Sequence, residues 1–336
     1  MGDGQRGDGA LNGPKIAVVG SANLDRMVVT DRLPGPGETL TAREYREGVG
    51  GKGANQAMTI ATLGTSVGFV GCVGADAAGE QVRQRLAGRG VDVSGLAVVH
   101  DVPTGTALIT VDGAGENVIV VHPGANGALD AARVDRHRDM IATAALTLMQ
   151  CEVATPALER AAALAGGLLV LNPAPATPLP DGLVRRVDVL VPNRAELAVL
   201  AGTSLPESLD DVASAVGKLG LAATVVVTLG SQGAAVIEPD GRVDHVPALR
   251  TEAVDTTGAG DCFCGALATA LVARPGRAVA DAARWAAVAA ALSTRGRGAQ
   301  GALPTLDEVS RAAFTSSSQP DLVAIPLLGA SPDQEA

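Results

Sequence analysis

The chain has 336 residues, of which 47% are hydrophobic and 1% are aromatic, and its formal net charge is −10. This length suits one large α/β domain whose core is built from Ala, Val, Leu and Ile. A negative net charge repels nucleic-acid phosphates, and so few aromatic rings offer no platforms on which bases stack. The composition therefore disfavours nucleic acid as a partner.

The cysteines and the chain ends bear on the cellular compartment. Four cysteines are present, at Cys72, Cys151, Cys262 and Cys264. They form no CxxC pair and no metal-ligand spacing with histidine, which is typical of reduced thiols. Residues 1–14 lack the apolar region of a signal peptide, and the apolar stretch Ala286–Leu292 is too short to span a bilayer. We predict a cytoplasmic protein with no membrane partner and with flexible tails at 1–14 and 316–336.

Between the predicted tails, apolar runs alternate with Ala-rich stretches. Strands are predicted at Lys15–Val19, Val67–Val73, Ala145–Met149, Leu168–Leu171, Val187–Val191 and Thr224–Thr228, and helices at Ala54–Leu63, Gly79–Gly88, Pro156–Ala165, Leu209–Leu219, Asp261–Val272 and Ala278–Leu292. Near-continuous apolar runs are typical of strands buried on both faces of a parallel sheet. The pattern predicts an α/β fold over 15–315, a three-layer α/β/α sandwich with a mostly parallel central sheet.

Two stretches interrupt this alternation, at about 26–48 and 96–122. Both read as short alternating strands joined by turns, and Gly113–Glu116 is a good hairpin turn between Ala107–Val111 and Val118–Val121. Neither stretch has a helix to cover it. We predict a small inserted β-sheet that serves as a lid.

Two polar segments near the start of the chain are candidates for ligand binding. In Gly20–Asp25, alternation places Asn23 and Asp25 on the same side of an extended segment, which suits vicinal hydroxyls. In Gly48–Asn55, glycines allow a polar ligand to approach closely while Lys52 and Asn55 supply donors. Taken alone, Gly20–Asp25 is equally consistent with turn chemistry, and Gly48–Asn55 is a weak motif that is more often a flexible turn with a solvated lysine.

The strongest signal is Asp255–Asp261, which leads into a predicted helix. Its glycines let successive N–H groups converge on an anion, and Asp261 at the helix start is placed beside that anion. Phosphoryl transfer to an alcohol needs such donors and a base for the hydroxyl proton. The alternative is a Gly-rich turn with an N-capping aspartate. The chain has no GxxxxGK[ST] sequence, which excludes a Walker-type NTPase.

Further polar groups follow the predicted strands. Glu152 follows Ala145–Met149, Asn193 and Glu196 follow Val187–Val191, and the segment 228–233 follows the strand at 224–228. Open α/β sheets bind ligands beyond the carboxyl ends of their strands. The sequence therefore predicts that these loops converge at one edge.

Taken in order, these motifs resemble the ribokinase (PfkB) family of carbohydrate kinases over roughly Lys15 to Val309. The resemblance is carried by Gly20–Asp25, Leu33–Thr39, Gly50–Ala57, Gly113–Asn117, Met149–Glu152, Asn172–Ala176, the loops at Asn193 and Thr228, and Gly258–Asp261. It implies transfer of the γ-phosphate of ATP to a sugar hydroxyl.

The resemblance also implies roles for individual residues. Asp261 is implied as the general base, and Gly258, Ala259 and Gly260 as the anion hole. The implied sugar-binding set is Asn23, Asp25, Gly51, Lys52, Asn55, Glu152 and Asp261. The implied ATP-binding set is Asn193, Thr228, Leu229, Gly230, Ser231, Gln232, Gly233 and Gly260. Glu196 is implied to organise Mg²⁺ through water.

The resemblance further implies a K⁺ site beside the anion hole and a homodimer formed through the lid. The implied K⁺ residues are Asp255, Thr257, Ser293, Gly296, Gly298 and Ala302. Two residues depart from the family pattern. Ala302 stands where Ser is frequent, and Ala287 stands where an Asn or His often lies near the adenine, so backbone and apolar contacts must hold the base there.

The acceptor is less well determined by the sequence than the reaction. Three polar side chains, Asn23, Asp25 and Glu152, suit a small polyol such as ribose better than an apolar base. Deoxyribose, a ketohexose and a nucleoside remain alternatives, because fold does not determine substrate. A non-catalytic sugar-binding protein on the same fold is a further alternative, which the presence of Asp261 and its glycines disfavours.

Overall fold

The computed structural model describes residues 13–316. Within them the strands are β1 (Ile16–Val19), β2 (Asn23–Val29), β3 (Glu44–Gly50), β4 (Val67–Gly74), β5 (Leu96–Val99), β6 (Gly105–Val111), β7 (Asn117–His122), β8 (Leu146–Gln150), β9 (Leu168–Asn172), β10 (Val189–Leu190), β11 (Thr224–Thr228), β12 (Ala234–Ile237) and β13 (Val243–Val246). The α-helices are α1 (Lys52–Thr62), α2 (Ala77–Ala87), α3 (Ala131–Asp135), α4 (Arg138–Thr143), α5 (Thr155–Leu164), α6 (Asp181–Val184), α7 (Arg194–Ala201), α8 (Leu209–Leu219), α9 (Ala259–Ala273), α10 (Val279–Ser293) and α11 (Leu306–Ser316).

The large sheet has nine strands in the order β13-β12-β11-β10-β9-β8-β1-β4-β5. From β11 to β5 neighbouring strands are parallel, and β12 and β13 add an antiparallel hairpin at one edge. All of the parallel strands therefore end at one edge of the sheet, which is where the predicted polar loops lie.

Alternate residues of the strands enter two hydrophobic clusters, one on each face of this sheet. Ile16 and Val18 of β1 pack with α1, α2, α9 and α10 on one face, while Ala17 and Val19 pack with helices α3 to α8 on the other. Because both faces are covered, the sequences of the parallel strands are predominantly apolar. The predicted three-layer α/β/α sandwich is confirmed.

A second sheet of four strands stands apart from the sandwich, in the order β3-β2-β6-β7. β2 is antiparallel to β3 and parallel to β6, and β6 and β7 form the predicted hairpin. The outer strand β7 is exposed along its whole length. The small inserted sheet predicted from the sequence is thus present, and we refer to it below as the lid sheet.

The bounds of the lid sheet correct the predicted ones. Leu96–Val99 was expected in the lid but pairs with β4 as the edge strand of the large sheet. Leu96 packs in the hydrophobic cluster on one face of the large sheet, and Ala97 and Val99 pack against the cluster on the other. The strand has only four residues, all of them apolar, so its sequence does not show which sheet it joins. The lid sheet also begins earlier than predicted, at Asn23.

The predicted tails, 1–14 and 316–336, lie almost entirely outside the described residues. None of the helices within residues 13–316 combines the length and the apolar character needed to cross a bilayer.

Candidate active site

The catalytic candidate Asp261 lies in the first turn of α9 and is 8% exposed. Each of its carboxylate oxygens accepts one side-chain hydrogen bond. Asn55 Nδ2 donates to Oδ2 at 3.0 Å and Gln56 Nε2 donates to Oδ1 at 3.1 Å. Burial raises the pKa of Asp261 overall, although the Lys52 ammonium and the two amides act to lower it. The carboxylate is therefore held in place, and it is poised to accept a proton.

The anion loop precedes α9 directly. Gly258 is the N-cap of the helix with φ of 75°, and a side chain there would collide with Ala299. The Ala259 N–H donates to the Thr256 carbonyl at 3.1 Å, whereas the N–H groups of Gly260 and Asp261 have no acceptor within residues 13–316. Free N–H groups at the start of a 15-residue helix form an anion site.

Asn23 is 4% exposed, and an unpredicted residue, Asn126, sets its orientation. The Ala22 N–H donates to Asn126 Oδ1 at 2.9 Å, so the Nδ2 of Asn126 faces Asn23 and donates to Asn23 Oδ1 at 2.7 Å. A backbone N–H can only donate, which determines both amide orientations. Asn23 Nδ2 has no partner within the described residues and is left as a donor for a ligand.

Asp25 lies on the same face of β2 as Asn23, as predicted. Its carboxylate accepts no hydrogen bond within residues 13–316. Burial, and then the negative charges of Glu152 and Asp261, raise the pKa of Asp25 from 3.8 to about 7. The side chain is therefore an unpartnered carboxyl beside the catalytic candidate.

Glu152 fixes the loop that begins α1. Its Oε2 accepts from Ser21 Oγ at 2.5 Å and from the Lys52 N–H at 3.1 Å, and Gly51 is the N-cap of that helix. Burial acts to lower the pKa of Lys52, but the charges of Asp261, Glu152 and Glu196 raise it overall. Lys52 therefore carries its positive charge among three carboxylates. The structure thus brings the whole predicted sugar-binding set together with Asp261.

The predicted nucleotide loops are also neighbours. Asn193 and Glu196 form a capping box at the start of α7, with both hydrogen bonds at 2.8 Å, and Asn193 pairs with Thr228 in an isolated β-bridge. From Thr228 the chain turns through a short 3-10 helix, Gly230–Gln232, to Gly233. Burial raises the pKa of Glu196, and only its Oε2 is used in the cap.

The predicted cation residues lie in two neighbouring loops, the one before α9 and the one that starts at the end of α10, which Asp255 connects by hydrogen bonds. Asp255 accepts from the Thr257 N–H at 2.9 Å and from the Gly298 N–H at 2.8 Å. Although burial acts to raise the pKa of Asp255, these hydrogen bonds lower it overall. Ser293 closes the end of α10, and its Oγ donates to the Ala290 carbonyl at 2.8 Å. Residues 13–316 contain no cluster of three His, Cys, Asp or Glu side chains that suits a metal ion.

Ala302 and Ala287 lie in different surroundings. Ala302 belongs to the loop after α10, where it lies against Gly296. Ala287 is 5% exposed within α10 and packs in the hydrophobic cluster on that face of the sheet. The structure therefore places Ala302 with the other cation residues and Ala287 in the core.

Phosphoryl transfer to an alcohol requires a base for the hydroxyl proton and fixed donors for the transferring group, and these two parts meet at the first turn of α9. The class of protein is therefore a small-molecule kinase. The sequence model of the pfkB family carbohydrate kinases matches residues 14–306, so this chain belongs to that family.

Similar proteins include both ribose and deoxyribose kinases. The chain is 37% identical to the ribokinase of Haemophilus influenzae over 298 residues, which cover 87% of this chain and 96% of that protein. It is 34% identical to the deoxyribokinase of Salmonella typhi over 300 residues, with 87% and 96% covered. Among solved structures, the Arabidopsis thaliana ribokinase complexed with ribose and ATP superposes with a TM-score of 0.83 at 34% identity, covering 90% of this chain and 99% of that one.

Proposed function

We propose that this protein phosphorylates D-ribose to D-ribose 5-phosphate with ATP, and that Asp261 is the general base. The observation that carries the proposal is a buried carboxylate, held by two amide donors, beside free N–H groups at the same helix terminus. The names of the relatives, which include a ribokinase bound to ribose and ATP, support ribose and ATP as the two substrates.

In the proposed reaction Asp261 takes the proton of the sugar hydroxyl while the hydroxyl oxygen bonds to the γ-phosphorus of ATP. The bond from that phosphorus to the bridging oxygen then breaks, and ADP leaves. In the proposed anion hole of Gly258, Ala259 and Gly260, the Ala259 N–H is held by the Thr256 carbonyl. The negative charge of the transferring group is therefore met by the N–H groups that are free within residues 13–316, those of Gly260 and Asp261. The Lys52 ammonium, which stays charged, adds to this stabilisation.

The sugar is held by donors and acceptors of known direction. Asn23 donates through Nδ2, and Asp25 and the Oε1 of Glu152 act as acceptors, since neither accepts a hydrogen bond within residues 13–316. A hydroxyl that is missing from the sugar leaves one of these groups unpaired, at a cost of about 1–3 kcal/mol. This favours ribose over deoxyribose, whose kinase is the second candidate because of the Salmonella typhi relative.

We assign the ATP contacts to the loops at Asn193 and Thr228–Gly233, which meet through their β-bridge. Glu196 suits Mg²⁺ held through water, because one carboxylate oxygen caps α7 and the other is available. Such an ion would neutralise charge on the phosphates of ATP. ATP as co-substrate is also our reason for placing the reaction in the cytoplasm.

We assign a K⁺ site to Asp255, Thr257, Ser293, Gly296, Gly298 and Ala302. The carbonyl oxygens of Thr257, Ser293 and Gly296 accept no hydrogen bond within residues 13–316, and Asp255 supplies negative charge beside them. Oxygen donors of this kind suit a weakly hydrated cation, and Ala302 supplies no hydroxyl.

We expect K⁺ to raise both turnover and melting temperature in a KCl titration against NaCl at constant ionic strength. Half-activation is expected to need less K⁺ in Ala302→Ser. Equal activity and melting temperature across the titration would refute the site.

We also propose that two copies pair through the lid sheets and that each lid closes over the bound sugar. Residues Tyr45, Leu108, Val118, Ile119, Val120 and Val121 of the lid sheet are all more than half exposed. Such an apolar surface is typical of an interface between subunits. Closure would exclude water, which competes with the sugar as acceptor.

Two measurements test the function. ATP consumption with ribose, deoxyribose, ketohexoses and nucleosides should be most efficient with ribose, and a higher kcat/KM for another acceptor would reject ribose while leaving the kinase assignment intact. Asp261→Asn should lower kcat by about 10²–10⁴ with sugar binding largely kept. Near-normal turnover in that variant would reject Asp261 as the base.

A further inference from the structure

Two chains of amide side chains lead away from Asp261, and each ends on a backbone carbonyl. In the first chain, Asn172 Nδ2 donates to the Val191 carbonyl at 2.8 Å and Asn172 Oδ1 accepts from Gln56 Nε2 at 3.3 Å. The second hydrogen of Gln56 Nε2 goes to Asp261 Oδ1. Because a carbonyl can only accept, the orientation of every amide in this chain is determined by Val191.

The second chain reaches the other carboxylate oxygen. Gln300 Nε2 donates to the Val49 carbonyl and also to Asn55 Oδ1, the latter at 3.1 Å. Asn55 Oδ1 is thus turned towards Gln300, so its Nδ2 faces Asp261 Oδ2. The carbonyl of Val49, in β3 of the lid sheet, sets the direction of this chain as Val191 sets that of the first.

We propose that Gln56 and Gln300 are positioning residues that keep Asp261 ionised and aligned, Gln56 directly and Gln300 through Asn55. This inference rests on the proposed role of Asp261 as the base. Donors aimed at both oxygens favour the carboxylate over the acid. When either oxygen is protonated, its hydrogen either points at an amide N–H or turns away from it, and in both cases a hydrogen bond is weakened or lost. They offset the burial that favours protonation.

The two chains differ in their surroundings. Gln56 is fully buried on α1, and its Oε1 accepts from the equally buried Gln150 Nε2 at 2.6 Å. Gln300 is only partly buried, and it lies in the loop after α10 that also contains the proposed cation residues. Loss of Gln56 therefore removes a donor outright, whereas loss of Gln300 only frees Asn55 to turn.

Other charged or titratable groups face Asp261 from the neighbouring elements. They are Lys52 of α1, Asp25 of β2, Glu152 after β8, Glu196 of α7, and Cys262 and Cys264 of α9. The proposed variants leave all of these groups in place, so a change in the titration of Asp261 measures the effect of the lost amide.

The test is the pH dependence of kcat in Gln56→Met and Gln300→Met, which remove the amide and keep its approximate length. Without the donor the acid form of Asp261 is favoured, so the acidic limb should move upward by about one pH unit in Gln56→Met and by less in Gln300→Met. Gln150→Met is the matched control, since Gln150 is equally buried and contacts Gln56 but not Asp261. Its acidic limb should stay in place, because Asn172 still orients Gln56.

Unchanged limbs in both variants, or an equal shift in Gln150→Met, would overturn the proposal. If Gln56→Met does not fold, the acidic limb of Gln300→Met still tests the proposal, because Gln300 lies in a partly buried loop where the substitution is better tolerated. A carboxyl ¹³C NMR titration of Asp261, assigned with Asp261→Asn, measures its ionisation without turnover. Normal turnover in Asp261→Asn would reject the base, whereas an unshifted Asp261 signal in the methionine variants would reject only the amide chains.

Discussion

The large sheet and the lid sheet contribute to one active site under opposite conditions of burial. The eight residues of β4 in the large sheet are all buried, whereas the six residues of β7 in the lid sheet are all exposed. Asp261 belongs to the buried region, and both of its oxygens have partners. Asp25 belongs to the lid sheet, and its carboxyl accepts no hydrogen bond within residues 13–316.

This difference in hydrogen bonding suggests different contributions of the two regions to the proposed activity. In the region built on the large sheet, hydrogen bonds to both oxygens of Asp261 fix the carboxylate, so the geometry of the proposed base does not depend on the sugar. The lid sheet has a carboxyl group that accepts no hydrogen bond within residues 13–316, at Asp25, and exposed apolar residues along β7, which we have proposed to contact the sugar and a second copy of the chain. Substitutions in the first region should therefore affect turnover, and those in the second should affect binding and assembly.

The largest effect is expected from Gly258→Ala in the buried region. The new methyl group would collide with Ala299 and move the N–H groups of the anion loop, so kcat should fall by about 10²–10³. The matched control is Gly276→Ala, where φ is 81° and the new Cβ would have no atom of residues 13–316 within 4 Å apart from its chain neighbours. Both variants carry the backbone strain, and only the first carries the collision. Equal kcat in the two variants would contradict a rigid anion hole.

A smaller effect is expected from Asp25→Asn, on stability rather than on turnover. The pKa of Asp25 is about 7 in the folded protein and about 3.8 in the unfolded chain, so the folded state binds the proton more tightly. Its contribution to stability is fully present below pH 3.8 and is lost as the pH rises towards 7.

Asp25→Asn removes this loss, so it should stabilise the free protein by about 2–4 kcal/mol at pH 8 and by much less at pH 4.5. Urea denaturation at the two pH values measures the difference. Asp101→Asn, at an exposed position, is the control. An equal change in the free energy of unfolding at both pH values would argue against a raised pKa.

Next in size is Asn126→Asp, which keeps the acceptor for the Ala22 N–H and removes the donor to Asn23. The new carboxylate can only accept, so Asn23 is expected to turn over, donate Nδ2 to it and present Oδ1 to the sugar. The KM for ribose should then rise by an amount equivalent to about 1–3 kcal/mol with kcat less affected. Asn117→Asp adds the same charge at an exposed position of β7 and should leave KM unchanged. An unaltered KM in Asn126→Asp would show that Asn23 needs no such support.

The smallest effect on the folded chain is expected from Val120→Lys, since exposed substitutions change stability by about 0.5 kcal/mol or less. The charge should nevertheless separate the proposed dimer into monomers, as measured by sedimentation. Val199→Lys on α7 is the control, because Val199 is 63% exposed and lies outside the lid sheet. A dimer that persists in Val120→Lys would place the interface elsewhere.

Much of the fold followed from local patterns. Thr224–Thr228 and Leu209–Leu219 begin and end where the apolar spacing predicts. The hairpin β12–β13 was not predicted, and Leu96–Val99 was assigned to the wrong sheet. Each of these strands has only four residues and lies towards an edge of the large sheet. So short a run carries too little periodicity to show that it is a strand or which sheet it joins.

The sequence by itself determined the glycine loops and the residue types of the site, because these depend on conformational preferences within a few positions. The tertiary structure decided how the site residues are held. Asn126 lies 103 residues from Asn23, and Gln300 lies 245 residues from Asn55. No spacing in the sequence predicts such pairs. They exist because the parallel strands bring their carboxyl ends to one edge, where buried amides must find partners in whichever segments are packed beside them.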